Sequence, residues 1–185
     1  MDSNKKLLEA ATKVYGAIQG MDKFVDANFP QEIVGIVKRH SKIAVASAWI
    51  PIPGADVAAG AANIWTMYVL INKKVGISVG DNILKTIGAG VATNLASAAA
   101  VSTVASALKF IPGIGSLAGA ALMSGTLYAV TLASGWVYLM ALSYMLQNKG
   151  KNFSANDLQQ AVNKVLKEST FLKDFISSAK KGYKS

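Results

Sequence analysis

The side chains that could do chemistry are few and scattered. The 185 residues include one histidine and no cysteine. Disulfides, thiolate metal sites and a His-rich metal centre are therefore excluded. His40 stands beside Arg39 and near Lys42, with neither a pattern of acid partners nor a serine elbow. It reads as a histidine at a helix end or an interface, not as a general base. Asp56 follows Pro53-Gly54 at the start of a helical pattern. A carboxylate there caps orphan N–H groups and suits the helix dipole. An ion or substrate contact is the alternative, because apolar surroundings would partly desolvate it. Gly113-Ile114-Gly115-Ser116-Leu117-Ala118 fits G-x-G-x-x-A. It follows a proline elbow instead of a strand, and no acidic residue lies about 20 positions further on, so no dinucleotide site is expected. No G-x-x-x-x-G-K-[ST] occurs, so the chain has no P-loop. The expectation is a protein without catalytic residues, metal or cofactor.

The elements around these residues are built by repetition. Residues 45–62, VASAWIPIPGADVAAGAA, align without a gap to residues 104–121, VASALKFIPGIGSLAGAA, at a constant offset of 59, with 11 of 18 positions identical. All four prolines, Pro30, Pro51, Pro53 and Pro112, fall where helices should break, since proline locks φ and lacks a donor. Between them the apolar pattern is helical, with no period-two alternation. The reading is all-α, in one domain over 1–185. An apolar core at 31–148 forms two helical hairpins elbowed by Pro and Gly. Amphipathic, basic segments at 1–29 and 149–185 flank it.

The periodicity places helices at about 4–19, 31–49, 56–73, 82–108, 115–147 and 154–180. A short polar connection containing Asp22 and Asp26 follows the first. Lys74-Gly76 closes the third, and Asn148 and Gly150 stop the fifth. Ser154 and Asp157 open the last with a capping-box arrangement. Two helices separate the elbows, so both elbows belong at one end of the bundle, opposite Lys73 and Lys74. The elbow end carries Trp49, Ile50, Ile52, Phe110 and Ile111 around the structural positions Pro51, Pro53, Gly54, Asp56, Pro112 and Gly113.

The formal charge is +9, and the surplus sits in the tails. Residues 86–108 and 110–148 carry no charge at all. Segment 120–145 has the length and composition of a membrane span, with Trp136, Tyr138 and Tyr144 as interface-type aromatics. Segment 86–108 holds seven Ser, Thr or Asn residues against six Ile, Leu or Val, so its insertion would be marginal. Small residues recur at packing spacing, as in Ala58/Ala62, Gly115/Gly119 and Ala121/Gly125. The alternative is tight packing inside a soluble bundle. The N-terminus shows no secretory pattern, so the lysine-rich end is expected on the cytoplasmic side. The tail lysines lack interleaved aromatics or a nucleic-acid module, so no nucleic-acid partner is expected.

At the elbows the chain resembles the bacterial domain-of-unknown-function 697 family. The matching positions are His40, Pro51-Ile52-Pro53-Gly54-Ala55-Asp56, Ile111-Pro112-Gly113-Ile114-Gly115 and Thr126-Leu127-Tyr128-Ala129, within roughly 31–145. The resemblance implies a helical, membrane-linked domain of the kind that accompanies a GTPase domain. This chain departs from it in lacking any G domain and in having Trp65-Thr66-Met67 where Gln-x-x-Met is common. The functional expectation is a non-enzymatic, membrane-associated helical adaptor or scaffold at the bacterial inner membrane or its cytoplasmic face. It would self-associate or act with a separate GTPase. A pore-forming protein and a soluble helical binding module are the alternatives.

Overall fold

The computed structural model describes the backbone of residues 23, 26–27, 29–47, 55–99 and 115–168, and side chains there except at 55–57, 96–99 and 115–123. Among the described residues 89% are helical, in five helices with no strand, so the fold is all-α. The helices are α1 (Gln31–Ser47), α2 (Ala55–Val75), α3 (Asp81–Ala99), α4 (Gly115–Lys149) and α5 (Ala155–Glu168).

The ends follow local chemistry. The Pro30 carbonyl accepts from Ile33 and Val34 at 2.9 and 3.0 Å, so α1 starts where a missing N–H costs nothing. Gly76 closes α2 at φ +72°, and the Ile77 N–H reaches back to the Asn72 carbonyl at 3.0 Å. That six-to-one bond, with Ile77 buried, is a Schellman closure. Gly150 ends α4 at φ +60°, its N–H on the Leu146 carbonyl. Upstream of α1 one expectation changes. Lys23, Asp26 and Ala27 have helical backbone where a polar connection was expected. The break falls at Phe29-Pro30, because proline disfavours helix in the residue before it.

Cross-contacts fix the directions. Glu32 pairs with Lys74 and His40 with Asn63, so α1 and α2 run antiparallel. Tyr144 faces Lys164 and Lys149 faces Asp157, so α4 and α5 do too. Between α2 and α4 the partners are Tyr68 with Ser134 and Asn72 with Tyr138, each 66 residues apart. These two helices are therefore parallel, as the repeat implies. The spatial register is 66 where the sequence repeat is 59, a stagger of seven residues. Seven residues are nearly two full turns, so the second copy slides along the first without changing face.

α4 is the axis of the bundle. Every side chain from Ala129 to Leu139 whose identity is apolar is buried, including Leu132, Val137 and Tyr138 at 0% exposure. Fully burying a side chain such as Leu132 contributes about 1.5–3 kcal/mol. A helix apolar on all sides belongs in an interior, and α1, α2, α3 and α5 all pack on this one. α5 is the opposite case. Leu158, Ala161 and Val162 are buried on one face, while Lys164 and Lys167 are exposed on the other.

Candidate functional site

The elbow residues Trp49, Ile50, Pro51, Ile52, Pro53, Gly54, Phe110, Ile111, Pro112 and Gly113 lie outside the described residues. Asp56 lies in the first turn of α2, and its side chain is likewise outside them. The helix ends that lead into the elbows, Ser47 and Ala55, Ala99 and Gly115, are described, and the helix directions carry all four to one end of the bundle.

The opposite end gathers charge. Lys74 pairs with Glu32, Lys149 with Asp157 at 2.7 Å, and the Lys151 ammonium donates to the Gly76 carbonyl at 3.3 Å. Asp157 is the best-defined carboxylate here. It accepts from the Ser154 N–H and hydroxyl, both at 2.8 Å, while its own N–H donates to Ser154 Oγ at 3.1 Å. This is the reciprocal capping box that the spacing predicts. The Lys149 hydrogen bond first, and the two Ser154 bonds after it, pull the Asp157 pKa down to about 2.

Two polar pairs lie inside. His40 is buried in the middle of α1, at an interface between helices and not at a helix end, the two places its sequence neighbours suggest. Its Nδ1 lies 2.7 Å from Asn63 Oδ1, and Asn63 Nδ2 donates to the His40 carbonyl at 2.7 Å. The amide nitrogen is thus engaged elsewhere, so Oδ1 is the acceptor and Nδ1 carries a proton. This ring fastens α1 to α2, and its Nδ1 is not available as a base.

Deeper still, the Tyr68 and Tyr138 rings stack at 3.9 Å with an interplanar angle of 9°. The Tyr68 hydroxyl donates to the Ser134 carbonyl at 3.0 Å, and the Tyr138 hydroxyl to Asn72 Oδ1 at 2.8 Å. Asn72 Nδ2 is buried without a hydrogen-bond partner. Burial pushes the Tyr68 hydroxyl well above the ordinary phenol range, with Tyr138 adding to the shift. Burial raises Tyr138 too. Both phenols are consequently neutral hydrogen-bond donors.

Other expectations change at residue level. Trp136 and Tyr138 read as interface-type aromatics, yet they are core residues, and only Tyr144 of that trio is substantially exposed. Ala58 and Ala62 read as a packing pair, yet both face outward or nearly so. The close approaches are made by glycines instead. A methyl group on Gly88 would lie 3.4 Å from the Trp65 backbone, and one on Gly135 only 2.6 Å from Val37 Cγ1.

No group of three or more His, Asp or Glu residues gathers as a metal site among the described residues. A shallow depression lined by Gln160, Asn163, Lys164, Lys167 and Glu168 runs along α5 alone, and among the described residues no second element closes over it. No family model matches the chain, and neither does any curated protein or solved structure.

Proposed function

We propose that the protein is a non-enzymatic helical scaffold that associates peripherally with the cytoplasmic face of a bacterial inner membrane, elbow end first. The observation that carries this reading is the position of its most apolar helix. Ser124–Lys149 is long and apolar enough to span a bilayer by length and composition, its most apolar 18 residues having a mean hydropathy of 1.5, but 78% of that stretch is buried inside the bundle. Apart from Ile43 and Ile83, the outward described residues of the neighbouring helices are small, polar or charged, among them Ala62, Thr66, Ala89, Thr93 and Asn94. Such flanks suit water and would leave polar groups unsatisfied in hydrocarbon.

Membrane contact then belongs to an end of the bundle. The elbow sequences Trp49-Ile50-Pro51-Ile52 and Phe110-Ile111 supply the apolar and interfacial side chains that an end-on contact uses. The resemblance to the GTPase-associated family supports a separate GTPase as the protein partner. The pairs His40 with Asn63 and Tyr138 with Asn72 join one helix to another, which supports a scaffold over a catalyst.

Carbonate extraction of native membranes tests the reading directly. Release of the folded protein by carbonate, with flotation on phospholipid vesicles before it, is the expected result. Retention after carbonate would overturn peripheral association in favour of spanning. Failure to float on any vesicle would leave the soluble binding module, and dye release from the vesicles would favour the pore-forming alternative.

A further inference from the structure

Among the described residues, charge in the elbow half of the bundle is concentrated on α1, with Lys85 of α3 reaching over Trp65 at its lower edge. At the level of residues 38–47 of α1, the facing stretches are about 56–65 of α2, 87–99 of α3 and 122–132 of α4, as the contacts of His40 with Asn63, Gly88 with Trp65 and Tyr68 with Ser134 fix the registers. Those three stretches contain a single charged residue, Asp56. α1 by contrast presents Lys38, Arg39 and Lys42 there, and the sequence holds no carboxylate from Ile33 to Ala55. Lys38 is paired with Asp26 at 2.7 Å. Arg39 and Lys42 are exposed, and neither has an ion pair or side-chain hydrogen bond among the described residues. Ile43, next to Lys42 and one turn from Arg39, is 50% exposed, the most exposed of the large apolar side chains described.

We propose that Arg39, Lys42 and Ile43 form the contact with an anionic phospholipid surface. The proposal rests on the peripheral-membrane reading above and names the surface and lipid class it uses. Charge complementarity is the argument. Two cations without an ion pair, on a half-body otherwise weakly charged among the described residues, orient it toward anionic headgroups, each Lys or Arg adding a favourable increment near such a surface. Ile43 supplies apolar area beside the two charges, the arrangement of an interfacial helix face. The long Arg and Lys stems let the charged heads reach phosphate while Ile43 sits lower. All three residues lie in the half of α1 that leads to the first elbow, so the bundle meets the surface with the elbow end of its α1 side.

The test is co-sedimentation of the full chain with vesicles of phosphatidylcholine alone and of phosphatidylcholine with about one-third phosphatidylglycerol. The variants are R39Q/K42Q, I43S and, as a charge-matched control on α5, K164Q/K167Q; circular dichroism checks that each keeps its helix content. The expected result is selective binding of the wild type to anionic vesicles. R39Q/K42Q should weaken it on the order of 20-fold, I43S should weaken it several-fold, and the α5 control should stay close to wild type. Equal losses in the α1 and α5 variants, or binding by R39Q/K42Q at wild-type strength, overturn the site while leaving membrane association standing. No binding of the wild type to either vesicle overturns the membrane reading itself, as an acidic protein partner at this face would require.

Discussion

Tyr68 and Tyr138 each anchor on the other's helix one turn away from the ring they stack against. Tyr68 donates to the carbonyl of Ser134, four residues before Tyr138, and Tyr138 donates to the side chain of Asn72, four residues after Tyr68. The two bonds are not equivalent. Losing the Tyr138 hydroxyl leaves the buried Asn72 amide with neither of its groups satisfied, whereas the Ser134 carbonyl lies within a continuous helix. Tyr138→Phe should therefore cost about 1–3 kcal/mol and Tyr68→Phe about 1 kcal/mol or less. Asn72→Leu combined with Tyr138→Phe should recover much of the loss, since removing both partners avoids the unpaired group. Urea denaturation of the four proteins measures this.

The same pair sets the alkaline behaviour. Both phenols have folded pKa values above the ordinary value of 10.0, so above that pH the unfolded chain releases protons that the folded chain keeps. Stability must fall as pH rises through and beyond 10. In a spectrophotometric titration, Tyr68 and Tyr138 should ionise only together with unfolding. A smooth titration of all six tyrosines with the helix signal intact would contradict this.

Gly135 is the tightest point of the α1–α4 crossing. A methyl group there would meet both Val37 γ-carbons, at 2.6 and 2.9 Å, and α4 cannot retreat from α1 without moving the core. Gly135→Ala should destabilise by about 1–3 kcal/mol through overpacking. Val37→Ala opens the matching space, so the double variant should be clearly more stable than the sum of the single effects predicts. A double-mutant cycle from thermal or urea unfolding reads the coupling.

The capping box makes a prediction about acid. Ser154→Ala should cost about 1 kcal/mol, as at other N-caps. Asp157 has a folded pKa of about 2 against an ordinary 3.8. Its contribution is therefore complete above 3.8 and disappears as pH falls through about 2. Asp157→Asn should lower the urea midpoint at neutral pH, and the difference from wild type should vanish near pH 2. A difference that disappeared already at pH 4 would mean that Lys149 and Ser154 do not hold the carboxylate.

His40 and Asn63 join α1 to α2 through two bonds that need one tautomer. Long-range proton–nitrogen spectra should show the His40 proton on Nδ1. Asn63→Leu strips a partner from both the ring and the His40 carbonyl and should cost about 1–3 kcal/mol.

Much of this architecture is written locally. Pro30, Gly76, Gly150 and the Ser154–Asp157 spacing each impose a backbone condition that only neighbours need satisfy, and each helix end falls within a residue or two of its signal. The parallel relation of the repeats also follows from counting helices. What could not be read is which side of a helix meets which neighbour. α4 is apolar on every side, so its composition alone cannot tell lipid from protein, and Trp136 and Tyr138 look interfacial until their neighbours are known. Asn63 counts against a membrane span in the sequence; its role as the clasp for His40 depends on a register between two helices 23 residues apart. Lys42 and Ile43 gave no local signal either, because their exposure is a property of the assembled bundle.

The seven-residue stagger between the repeats gives the elbow end a slope. With α2 and α4 in a 66-residue register, the first residue of α4 stands six residues, about 9 Å, beyond the first residue of α2. Packed helices have axes about 8–10 Å apart, so the height gained is close to the distance crossed. The line joining the two helix starts is inclined on the order of 45°, and a flat surface resting on both would meet these helices leaning, not upright.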